Sequence, residues 1–109
     1  MDDVDRFAKL PVKNLISRIK EIEKDIELRD NILESSLNKI GTRLLRLKER
    51  ISRMKYSDVR EFENEIERLN RRKVDEFISW FHDVSRLKER LTIAKEELEF
   101  EKEKLKYFS

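Results

Sequence analysis

The stretch "LESSLNKIGTRLLRLKERISRM", residues 33–54, carries apolar side chains at 33, 37, 40, 44, 47, 51 and 54. Its steps alternate four and three, which places one apolar stripe along an α-helix and is the spacing of a coiled-coil seam. The only glycine of the chain, Gly41, stands in the middle of it. Glycine often ends a helix, yet the stripe keeps its phase from Ile40 to Leu44. One continuous helix is therefore expected, with a three-helix bundle broken near Gly41 as the alternative.

Upstream, the stripe extends to 12, 15, 19, 22 and 26, and a stutter falls at Asp30. Such an irregularity unwinds a coiled coil locally without ending it. Pro11 suits a first helical turn, where its missing N–H is no loss. The first helix is thus predicted over 12–54, preceded by an N-terminal segment, 1–11. Downstream, "KYSDVREFE" at 55–63 interrupts the pattern. Ser57 or Asp58 can cap a new helix, and Asp58 with Glu61 has capping-box spacing. A turn at 55–58 and a second helix over 59–108 follow.

The second stripe runs through Val59, Phe62, Ile66, Leu69, Phe77, Trp80, Val84, Leu87, Leu91, Ala94, Leu98, Leu105 and Phe108, with a stutter at Lys73 and Glu101 as its polar member. The predicted fold is all-α. It is a long antiparallel two-helix coiled-coil hairpin forming one domain, 1–109, and pairing into a dimeric four-helix bundle. A turn centred between 56 and 57 sets Trp80 beside Leu33, Leu91 beside Ile22, and Leu47 beside Ile66.

Composition agrees. Charged residues make up 46% of the 109, with one Gly and one Pro, a balance typical of long helices and poor in turns. Without cysteine, disulfides, thiolate metal sites and Cys nucleophiles are excluded. The lack of both Cys and Gln beside abundant Lys, Arg and Glu suggests a thermophilic source. No apolar run approaches the roughly 20 residues of a membrane span, and "MDDVDRFAKL" is acidic rather than signal-like. A cytoplasmic protein with no membrane partner is expected.

"VDEFISWFHDV", residues 74–84, concentrates the single Trp and the largest apolar group. Its apolar arc spreads over roughly 160°, well beyond a two-helix seam. Leu28 and Ile32 widen the first helix at the same level. The expected contact surface is Leu28, Ile32, Val74, Phe77, Ile78, Trp80 and Phe81, with a second copy of the chain or another protein as partner.

Charge placement suggests an alternative partner. Residues 38–73 hold 12 Lys and Arg against 6 Asp and Glu. Lys39, Arg43, Arg46, Arg50 and Arg53 recur at steps of four and three, and Arg68, Arg71 and Arg72 add cations on the returning helix. Such a stripe could follow a nucleic-acid backbone. Ion pairing of Arg50 with Glu65 and Lys48 with Glu63 would instead neutralise part of it.

No catalytic residue, cofactor or metal site is expected. His82 is the only histidine, a poor ligand set alone. The many carboxylates read as solvated faces, and there is no phosphate loop or nucleophile motif. A hairpin offers no concave pocket, so a non-enzymatic assembly or scaffold role is the leading expectation.

Overall fold

A computed structural model describes residues 2–54 and 59–108, with side chains described from 9 to 54 and from 59 to 107. Helix α1 spans Asp2–Ser52 and helix α2 spans Val59–Phe108. The two fold back on one another as an antiparallel hairpin, and no strand occurs among the described residues. The residues expected to form the turn and cap, Tyr56, Ser57 and Asp58, lie outside the described set; Glu61 stands in the first turn of α2.

Two boundaries of α1 differ from expectation. It begins at Asp2 rather than near 12, so Pro11 is inside the helix. A helix tolerates an internal proline when the one backbone bond it removes lies close to an end, where few bonds depend on it. The other end closes at Ser52 rather than Met54. There the amides of Arg53 and Met54 donate to the carbonyls of Arg50 and Ile51, both at 3.1 Å. These three-residue steps tighten the last turn and satisfy carbonyls that α-helical bonding leaves open.

Gly41 does not interrupt α1. Its φ is not positive, and a Cβ placed on it would meet nothing within 4 Å. The three-helix alternative is thereby excluded: helical phase, supported on both sides by Ile40 and Leu44, outweighs the preference of one residue.

The hairpin divides into two compact units, Arg29–His82 and Met1–Leu28 with Asp83–Ser109. In Arg29–His82 the seam of α1 buries Leu33, Ile40 and Leu47. These recur every seven residues, while Leu37, Leu44 and Ile51 between them are half-buried. The opposing residues Val59, Phe62, Ile66 and Leu69 are also half-buried. In the other unit Ile19, Ile22 and Ala94 form the core, with Ile26, Leu87, Leu91 and Leu98 packed against it. Leu91 thus joins the cluster containing Ile22, as the register anticipates. Among the described residues no charged side chain is buried, and no large side chain is less than 2% exposed. No described helix is long and apolar enough to cross a membrane.

Two substitutions test this backbone. Gly41→Ala is expected to stabilise the protein by about 0.5–1 kcal/mol, read from the urea midpoint, because a helical site with free space gains propensity and loses unfolded-state entropy. Pro11→Ala is expected to raise helicity and stability by about 1–3 kcal/mol, since an internal proline forfeits a helix bond. A proline at a true first turn would give no gain.

Candidate interaction surfaces

Three cross-helix side-chain pairs orient the unit Arg29–His82. Arg43 donates to Glu65 Oε1 from Nη2 at 2.8 Å and from Nε at 3.2 Å. Arg29 Nη2 donates to Ser79 Oγ at 3.3 Å. The Trp80 indole N–H donates to Asp30 Oδ1 at 2.7 Å. Glu65 therefore pairs with Arg43, not with Arg50. Residues beside a seam are offset along the chain from those that meet within it. A register set by facing seam residues therefore misplaces the flanking ion pairs.

The polar stutter now has a structural role. Where the seam loses phase at Asp30, Arg29 is half-buried and both residues bond to α2. On α2, Glu76 is half-buried whereas Phe77 is 43% exposed. The seam thus passes through Glu76 to Trp80, and Phe77, expected inside, is turned out. The phase shift at Lys73 rotates the stripe by about one residue, which exchanges a phenylalanine for a glutamate at the interface. Trp80 faces α1 and is held by Asp30, so it belongs to the hairpin's own packing.

The same bonds separate two flanks. On α1, Ile32 lies eleven residues before Arg43, about 20° off three full turns, so it shares the Arg43–Glu65 flank. On α2, Ser79 lies within about 40° of Glu65 and marks that flank too. Val74, Ile78 and Phe81 stand on the other side of the Trp80 seam, with Phe77 leaning the same way. The apolar surfaces expected to merge across the two arms are consequently apart. Leu28 belongs to the other unit. Pattern reading in each helix gives distance from its own seam; it does not say which side meets which.

The flank of α2 that remains is a compact apolar stripe. Val74 is 56% exposed, Ile78 52% and Phe81 62%, and with Phe77 they fall at i, i+3, i+4 and i+7. Leu45 of α1, 64% exposed, turns to this side as well, being about 200° on from Arg43. Its place outside the three-four stripe, directly after Leu44, was the available signal. Phe81 meets the His82 ring edge-on, with centroids 6.2 Å apart. The exposed Ile93 and Phe100 of the other unit are more scattered, and Lys104 Nζ sits 4.6 Å from the Phe100 ring centre.

The Arg43 flank is basic. Lys39, Arg46 and Arg50 lie within about 60° of Arg43 on the helical wheel, and Arg53 within about 80°. All four are exposed. On α2, Arg68 and Arg72 lie within about 60° of Glu65, whereas Arg71 turns away and pairs with Glu67 at 2.8 Å. Among the described residues, Arg43 and Arg71 are the members of the basic set engaged in ion pairs. Lys48 and Glu63 do not pair with one another.

Among the described residues no three His, Asp or Glu side chains converge to hold a metal ion. No protein-family model, curated protein or solved structure matches the chain.

The Asp30–Trp80 bond can be weighed directly. A double-mutant cycle of Asp30→Ala and Trp80→Phe is expected to give a coupling of about 0.5–1.5 kcal/mol in urea denaturation, the net value of one hydrogen bond. Additive effects would mean that the bond contributes nothing to the fold.

Proposed function

We propose that the chain is a non-enzymatic assembly module whose apolar α2 flank pairs with a second copy. The observation that carries this reading is the stripe Val74, Phe77, Ile78 and Phe81, four large apolar side chains each 43–62% exposed on one face of one helix. An i, i+3, i+4, i+7 row is what a helix presents to another helix. Fully burying one such side chain contributes about 1.5–3 kcal/mol, and the exposed half of each remains to be gained.

A second copy is favoured as occupant by the thinness of the hairpin. Two helices in contact shield one strip each, and no large described side chain reaches full burial. Pairing about a two-fold axis places the same stripe on both sides of the interface, so a single surface supplies both halves. The result is a four-helix bundle, with a wider core than either hairpin possesses alone.

Sedimentation equilibrium tests the proposal. The wild type is expected to be dimeric, and Phe81→Glu and Ile78→Glu are expected to shift it toward monomer while helicity by circular dichroism is retained. An unchanged mass in both variants would remove the assembly role from this flank. A wild type that stays monomeric at high concentration would assign the stripe to a different protein. Trp80 is unsuitable as a probe here, because its replacement also disturbs the Asp30 bond.

A further inference from the structure

We propose that the Arg43 flank is a second and independent binding surface, which takes double-stranded nucleic acid through its phosphate backbone. Between residue 31 and its end at Ser52 α1 carries five cations and two carboxylates, Glu34 and Glu49, and Arg53 follows directly. Glu34 lies about 180° from Arg43 and is off the basic flank, while Glu49, about 120° from Arg43, stands at its outer edge, three residues after Arg46 and four before Arg53. Lys39, Arg43, Arg46, Arg50 and Arg53 form a row in which Glu49, beside Arg46 and Arg53, is the single acidic neighbour among the described residues of α1. At 1.5 Å per residue it is about 21 Å long.

Across the seam, Arg68 and Arg72 face the same side from α2. The acidic groups on that side of α2 are Glu61, Glu65, Asp75 and Glu76. Glu65 is taken up by Arg43. Lys39, Arg46, Arg50, Arg68 and Arg72 have no ion-pair partner among the described residues. Five exposed cations held on rigid helices, rather than on loops, match a ligand that is itself a regular line of charge. Duplex DNA carries one negative charge per about 1.7 Å of its axis.

The form of the ligand follows from what else the flank presents. Single strands are held by aromatic platforms on which bases stack. Among the described residues of this unit the exposed aromatics, Phe77 and Phe81, stand on the opposite flank, and Phe62 is half-buried in the seam. An anionic membrane would be gripped through apolar side chains set among the cations. Here the exposed apolar residues are Ile32, two turns before Lys39, and Met54, directly after Arg53, so they stand at the ends of the row rather than among its cations. Interactions with phosphates alone position a protein without reading sequence, so binding is indifferent to base sequence.

The test titrates the full chain with duplex DNA of mixed sequence over a salt series, and in parallel with vesicles of phosphatidylserine and phosphatidylcholine. The wild type is expected to bind the duplex at about 50 mM salt and to lose affinity steeply as salt rises. A Lys39→Gln, Arg46→Gln, Arg50→Gln triple variant is expected to flatten the slope of log affinity against log salt by about 0.9 for each phosphate it no longer neutralises. Circular dichroism and melting should match the wild type, as these side chains are exposed and unpaired. Phe81→Glu, on the other flank, should bind the duplex with the wild-type salt slope. Absence of duplex binding at low salt, an unchanged slope in the triple variant, or binding to vesicles but not to duplex would each overturn the proposal.

Discussion

A pair of helices in contact can shield only one strip of each. Every other property of this molecule follows from that limit. The strip is filled by residues spaced alternately three and four apart, and in Arg29–His82 Leu33, Ile40 and Leu47 are the ones it buries, because they point straight at α2. The remaining surface divides into flanks whose character is set entirely by which residues stand next to the seam, apolar on one side of Arg29–His82 and basic on the other.

That limit also explains why the stutter is polar. Where the seam drifts out of phase, side chains no longer point squarely across, and an apolar layer would be packed on one side only. Arg29 and Asp30 reach sideways to Ser79 and Trp80 instead, replacing incomplete packing with directional bonds. Such bonds contribute modestly to net stability, but their geometry is specific. A hairpin slipped by one heptad would set Leu37 and Ser36, or Glu23 and Ile22, in place of Asp30 and Arg29 opposite Trp80 and Ser79, so this polar layer favours one register that a uniform leucine seam would leave free.

Much of the fold is legible in the sequence because helical period is a direct consequence of backbone geometry. The α2 bounds, the passage of α1 through Gly41 and the placing of Leu91 near Ile22 all follow from spacing alone. The start of α1 does not, since Pro11 is compatible both with a first turn and with a position further inside a longer helix. The flank pairs do not either. Arg43 meets Glu65 because of where each stands beside the seam, a relation between two helices that neither wheel contains. For the same reason Val74, Ile78 and Phe81 can be recognised as excess apolar surface, while their separation from Ile32 and the contribution of Leu45 cannot.

The repeat at Leu33, Ile40 and Leu47 bears on how this part of the molecule could change in length over evolutionary time. Each seam layer touches only the layers before and after it, so removal of seven residues from one arm together with seven from the other would bring equivalent layers back together. A loss of one, two or five residues would instead rotate everything beyond it out of the interface. Insertions and deletions in relatives of this chain would therefore come in matched heptads, and the distance between the hairpin turn and the Asp30–Trp80 bond would vary in steps of about 10 Å.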